Sequence, residues 1–503
     1  MANDTDLSLS QSDAAVDASS PGSMSRAATQ GAAWTALQLW GVNAGSFVVF
    51  IILGRLLRPT DFGVVAAAYT VTMLLRVIVD AGFTRYLVQR RELPLIYADT
   101  AFWTAVTAAL GFTTISIFVA PYFALLFGVP RLTIVIRALS PLFILAALDQ
   151  TQSGLLDRSM QFRIQAIRRL IATFAGGAAA ISLAFAGAGV WALVSQQLVI
   201  EAVTVALLWR LASWRPRFRA SIVCLREMFP FGVRMTGIRL TQYAMLNADN
   251  FFVGIVFGKL ALGYYAVAYR LFSALNDMVT MVINRVALAT LSRLQHDQDR
   301  VNSAFYRASR IGSLISLPVY AGLALVARQV IIVLLGSRWA PSVPLLEVLT
   351  IAAFAQGQLT LCGTYVTAIG RIRNEFRWTV SIAAVQVGAF AIAAQFSVFA
   401  VAASVGIVLL AAWPVRVLLL RKLGAIQLQR YFAHYPRLVA STLGMVLGVA
   451  VVRRELAGTS PVLALAAEIA TGAILLGVGL QVLAPGLIAE LQEMARNFRP
   501  RRA

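Results

Sequence analysis

Residues 54–85, GRLLRPTDFGVVAAAYTVTMLLRVIVDAGFTR, recur 200 positions later as residues 254–285, GIVFGKLALGYYAVAYRLFSALNDMVTMVINR. Gly54, Gly63, Ala66, Ala68, Tyr69, Leu75, Val79 and Arg85 meet Gly254, Gly263, Ala266, Ala268, Tyr269, Leu275, Val279 and Arg285, which is 8 identities in 32 without a gap. Apolar composition inflates chance matches of Ala, Leu and Val, so the glycines, tyrosines and arginines carry the weight. Each copy ends in an apolar run near the twenty residues that a helix needs to cross roughly 30 Å of hydrocarbon.

Runs of that kind continue in both directions. They predict spans at 34–53, 62–80, 101–120, 132–148, 170–188, 190–209, 231–257, 261–283, 312–335, 344–368, 378–396, 399–420, 438–452 and 462–484. The thirteenth is short. The 503 residues are 59% hydrophobic and 13% charged, about half the charge of a soluble domain. Strands of a membrane barrel would be about ten residues long and alternate polar with apolar, so the fold expected is all-α. Six spans separate the two copies of the repeat, an even number, so both copies point the same way, as in the parallel repeats of some transporters. The expected architecture is two pseudo-symmetric six-helix bundles around a central cavity, with two additional C-terminal spans. In domain terms this gives a disordered cytoplasmic tail at 1–25, bundles at 26–210 and 231–420, a basic cytoplasmic linker at 211–230, two further spans within 421–484, and a basic tail at 485–503.

Orientation follows from the arginines. Of the 43 Lys and Arg residues, 29 fall in the tails and one alternate set of loops, 7 in the opposite set and 7 within spans. That fourfold bias puts both termini in the cytoplasm. The net charge of +21 is therefore spread over loops, not gathered on a nucleic-acid-binding face. Cys224, in a basic loop, and Cys362, in an apolar run, predict no disulfide, and His296 and His434 lie in different loops and predict no metal site. Short outer loops leave no room for an extramembrane active site, which argues against an enzyme.

The arginines inside spans are Arg76, Arg137, Arg234, Arg239, Arg270, Arg328 and Arg416. A central arginine costs roughly 2.5–3.5 kcal/mol on insertion scales, so they cannot all face lipid. Arg137, Arg234 and Arg416 lie near span ends and are expected to snorkel. Arg239 and Arg270 should be at least ~10 Å deep at 1.5 Å per residue, with Arg76 close behind. Polar partners share these spans. Arg76 and Asp80 are four apart, on one helical face; Arg239, Gln242, Asp249 and Asn250 follow near-helical spacing, and Arg270 stands above Asn276 and Asp277. Structural ion pairs would explain any one of these. The set predicts a hydrated cationic cavity suited to an anionic cargo, because guanidinium grips phosphate oxygens bidentately. The candidate cargo site is Arg239, Arg270, Arg76, Arg234, Gln242 and Asn276. Asp249, Asn250, Asp277 and Asp80 are the candidates for ion coupling by a proton or sodium, or for ion pairing; Glu201 and Glu347 are weaker ones.

An ordered series of short motifs adds a resemblance. Arg55-Leu-Leu-Arg-Pro-Thr-Asp-Phe-Gly63, Asp80-Ala-Gly-Phe83, Leu87-Val-Gln-Arg-Arg91 and Ala101-Phe-Trp103 are followed by Asp249-Asn250, Leu262-Gly-Tyr-Tyr265, Ala268-Tyr-Arg270, Leu291-Ser-Arg-Leu294 and Leu335-Gly-Ser-Arg-Trp339. From about residue 26 to 420 the chain resembles the polysaccharide transporter family, in its colanic-acid-exporter-like branch. These are flippases of lipid-linked oligosaccharides within the multidrug/oligosaccharidyl-lipid/polysaccharide exporter superfamily. Ala289 departs from the proline usual there.

The resemblance implies a protein of the bacterial inner membrane; a monomer and no cofactor are expected. Its cargo would be an undecaprenyl-pyrophosphate-linked repeat unit, its surroundings membrane lipids, and its neighbours the glycosyltransferases and polymerase of a polysaccharide pathway. A drug or small-solute cation-coupled antiporter of the same superfamily is the alternative.

Overall fold

Backbone N–H and C=O groups find no water in hydrocarbon, so a spanning segment satisfies them along its own helix. The computed structural model describes residues 40–79, 82–90, 93–293, 297–424, 426–456 and 459–483. Both tails, Asp80 and His296 lie outside them. Among the described residues there is no strand. The helices of the first half are α1 (Trp40–Leu56), α2 (Pro59–Val79), α3 (Phe83–Gln89), α4 (Leu95–Leu126), α5 (Leu132–Leu139), α6 (Pro141–Arg158), α7 (Phe162–Phe185), α8 (Val190–Leu211) and α9 (Ile222–Arg293). They are followed by α10 (Gln298–Leu335), α11 (Val343–Ala368), α12 (Ile372–Ala393), α13 (Val398–Gly424), α14 (Leu428–Phe432), α15 (Tyr435–Glu455) and α16 (Pro461–Leu483).

Among the described residues, twelve segments are long and apolar enough to span. One of them, the 56-residue Ile222–Asp277, is broken by Gly258 at φ 76°, ψ −175°, a left-handed conformation that glycine adopts without penalty. Its two limbs correspond to the seventh and eighth expected spans. With α1, described over Trp40–Leu56, each of the fourteen expected crossings has a helix among the described residues. The thirteenth runs over the 21 residues of α15 and is not short. Helix α9 continues past Ala289 to Arg293, so alanine in place of proline does not end it.

The chain divides into two compact units, one up to Gly263 and one from Tyr264. Within the first, the repeat shows in a reciprocal contact. A Cβ on Gly63 would lie 1.7 Å from the Lys259 carbonyl oxygen, and one on Gly263 would lie 1.9 Å from that of Pro59. Each glycine thus packs on the residue four before the other, the self-complementary pattern of a two-fold contact. Backbone touches backbone there. In the second unit α10, α11 and α13 pack together, and α15 and α16 form a pair whose last helix also packs on α10.

Two sequence expectations are corrected. Arg416 does not snorkel: it is 2% exposed, bonded to the Glu375 carboxylate and 4.8 Å from the Trp378 ring centroid. A carboxylate from α12 reaches it because Gly363 of α11 leaves room, a Cβ there falling 2.7 Å from Glu375 Oε1. Cys224 lies in α9, not a loop, and is buried, as is Cys362; both are free thiols.

Candidate functional site

The first unit contains a cavity of about 350 Å³ lined by Thr84, Arg85, Val88, Asp149, Gln150, Ser153, Asp157 and Arg239. That volume is at the small end of the ~300–1,000 Å³ usual for ligand sites. Its walls come from α3, α6 and the first limb of α9. Gly82, at φ 70°, turns the chain into α3, and a Cβ there would be 2.6 Å from that of Met235, so α3 lies directly on α9. Gly154 lets Thr84 close onto α6, where a Cβ would meet its methyl at 2.5 Å.

The far end of this wall is pinned by one carboxylate. Glu227 accepts from Tyr86 at 2.8 Å, from Arg90 at 2.9 Å and from Tyr97 at 2.5 Å, while the Arg90 guanidinium lies 3.9 Å from the Tyr97 ring centroid. Burial, together with the bond to Glu227, pushes the Tyr86 hydroxyl above its ordinary range.

On the α6 wall Asp149, Ser153 and Asp157 are spaced four apart and so share a face. Fully buried Arg168 reaches them from α7: it pairs with Asp149 and donates to Ser153 Oγ at 2.7 Å and to Gln165 Oε1 at 2.8 Å. Ser153 Oγ donates to Asp149 at 2.9 Å, and Gln165 Nε2 donates to Asp157 at 3.0 Å. The network places two carboxylates, an amide and a hydroxyl along one wall and two guanidiniums, Arg85 and Arg239, on the others. Such a lining offers forked donors to a phosphate and acceptors to sugar hydroxyls.

Of the expected site residues that are described, only Arg239 lines this cavity. Arg234 and Gln242 are exposed. Asp249 is 3% exposed, about 15 Å farther along α9 by rise per residue, and accepts from the Asn250 backbone N–H at 2.8 Å. Arg76 pairs with Glu201 of α8 at 2.6 Å, one of the two weaker coupling candidates, while Asp80 lies outside the described residues. In the second unit Arg270 and Asp277 interact electrostatically along one limb of α9, and Asn276 accepts a hydrogen bond from Tyr320 at 3.0 Å. Sequence reasoning missed Arg85, Asp149, Ser153, Asp157 and Arg168 because they fall beyond the apolar runs. The four-residue spacing within 149–157 was the available signal.

The model of the polysaccharide biosynthesis protein family matches residues 52–344, more than half of the chain. The chain belongs to that family. Among relatives of this polysaccharide biosynthesis protein, the succinoglycan biosynthesis transport protein ExoT of Rhizobium meliloti is 30% identical over 370 residues, 73% of this chain and 74% of that one. The teichuronic acid biosynthesis protein TuaB of Bacillus subtilis is 24% identical over 384 residues, 74% of this chain and 79% of that one. The fold is similar to that of the lipid II flippase MurJ, inward closed, with a TM-score of 0.73 at 13% identity over 90% of this chain and 99% of that one. An inward-facing MATE multidrug transporter gives 0.61 at 17% identity, over 78% and 98%. The exporter-superfamily resemblance read from the motifs is thereby confirmed, as is the all-α polytopic fold.

Proposed function

We propose that this protein is a flippase that moves a polyprenyl-pyrophosphate-linked oligosaccharide repeat unit from the cytoplasmic to the outer leaflet of a bacterial inner membrane by alternating access. The observation that carries the reading is the cavity with Arg85 and Arg239 beside the Asp149–Ser153–Asp157 wall. Guanidiniums suit the pyrophosphate and the carboxylate wall suits sugar hydroxyls. The arginine bias of the loops supports a position for that cavity at the cytoplasmic ends of its helices, where such a cargo would be taken up. The names of the relatives, a succinoglycan transport protein and a teichuronic acid biosynthesis protein, and the fold shared with a lipid II flippase support the same class. No enzymatic step is part of this reading.

Arg270 in the second unit is assigned to the cargo as well, and buried Asp249 to coupling by a proton or sodium. A drug antiporter would use acids to hold cationic cargo; here Asp149 is paired with Arg168 and Asp157 accepts from Gln165, which favours the anionic cargo. Deleting the gene should trap lipid-linked repeat units on the cytoplasmic leaflet. Full surface polysaccharide in a deletion strain that lacks other flippases would refute the proposal. Ethidium efflux from an overexpressing strain would favour the antiporter.

A further inference from the structure

Helix α16 carries a single ionisable residue, Glu468, seven positions into the span and so ~10 Å deep. Most of α16 presents apolar side chains outward, including Val462, Ile469 and Ile474, but Glu468 is 1% exposed. Gln329 of α10 donates from Nε2 to Glu468 Oε1 at 2.6 Å. The remaining two atoms of this pair, Glu468 Oε2 and Gln329 Oε1, are both buried without a partner. An ionised carboxylate only accepts, so as a carboxylate Glu468 would leave two acceptors facing each other's end of the pair, each bearing its full desolvation penalty.

One cation acts against this cost, and it is shared. Arg453 of α15 is the cation with which Glu468 interacts. It also interacts with Glu347 of α11 and donates to the Leu325 carbonyl at 3.3 Å. Arg328 on α10, and Arg454 and Glu455 on α15, are exposed. One proton resolves both orphan atoms together. On Oε2 it makes a donor, and Gln329 Oε1 is the acceptor left open on the same amide.

We propose that Glu468 is a proton-binding carboxyl that, when protonated, closes a two-point acid–amide pair with Gln329 and ties α16 to α10. Releasing the proton to water removes one of the two hydrogen bonds and leaves a buried negative charge beside an amide oxygen. The pair then opens, so proton occupancy sets the attachment of the last helix. The inference is independent of the cargo.

The test is infrared difference spectroscopy of the full-length protein in sodium-free lipid vesicles, wild type minus Glu468→Gln. Glu468→Gln preserves both hydrogen bonds and so keeps the helices joined. The expected result is a carboxylic-acid C=O band at neutral pH that is lost in Glu468→Gln and shifts in position in Gln329→Leu. Carboxylate bands in its place at neutral pH would overturn the proposal. So would a band that Gln329→Leu leaves unmoved, or one abolished by adding sodium at constant pH, which would make the pair a sodium site.

Discussion

Arg76 and Asn276 occupy the same place in the two copies of the repeat, as do Gly63 and Gly263. The glycines do the same job in both copies: each receives the other copy's backbone where a Cβ would overlap a carbonyl oxygen. The polar positions do not. Arg76 makes an ion pair with Glu201, whereas Asn276 accepts a neutral hydrogen bond from Tyr320. Thr70 bonds to its own helix at the Ala66 carbonyl, whereas its counterpart Arg270 interacts electrostatically with Asp277, and Asp277 in turn replaces Val77. Positions set by backbone approach admit one residue type and have stayed alike. Positions that only have to be polar have diverged, which is where different tasks for the two halves would be written.

That contrast can be broken most severely at the glycines. Gly63→Val and Gly263→Val should be equally damaging, each by ~3 kcal/mol or more, at or above the upper end of ordinary overpacking because backbone and not a side chain must move. Fluorescence-detected gel filtration of membrane extracts should show loss of the monodisperse peak in both. Unequal effects would show that the reciprocal contact is not symmetric in energy.

The next largest effect belongs to the cavity. Arg239→Ala and Arg85→Ala should each lower polysaccharide export about tenfold or more at normal protein level, since a hydrogen bond to a charged group is worth ~1.5–3 kcal/mol. The same is expected of Arg270→Ala. Wild-type export from these variants would move the arginines to a structural role.

The smallest effects sharpen the comparison itself. Arg76→Met should destabilise by ~2 kcal/mol, below the ~3–5 of a fully buried pair because both side chains are partly exposed. Asn276→Ala, at the equivalent position, should lose only ~1 kcal/mol. Thermal melting of the purified variants in detergent checks the order, and a Glu201→Gln background should cancel much of the Arg76→Met effect.

Hydrophobic length was enough to place the long apolar helices among the described residues, because a span leaves the chain few alternatives in hydrocarbon. It said little about helix ends. Helices α6, α7 and α9 run beyond their apolar runs, and the stretch 149–169, read as a loop, holds the second turn of polar residues on α6 and the start of α7. Arg168 was therefore counted as a loop cation, although it is fully buried among Asp149, Ser153 and Gln165. Arg239 was legible because an arginine within an apolar run demands a polar surrounding. Its neighbours were not, since three elements distant in sequence supply them. Arg416 failed for a related reason: nothing in its own span reveals that Glu375 waits on the preceding helix.

The most direct test is to reconstitute the protein in vesicles containing a fluorescent polyprenyl-pyrophosphate saccharide and to measure how fast the label becomes accessible to a membrane-impermeant quencher. Wild type should equilibrate the lipid across the bilayer, and Arg239→Ala should be as slow as protein-free vesicles. Equal rates for the two proteins, or a wild-type rate no faster than empty vesicles, would contradict the assignment of this guanidinium-lined cavity to a pyrophosphate cargo.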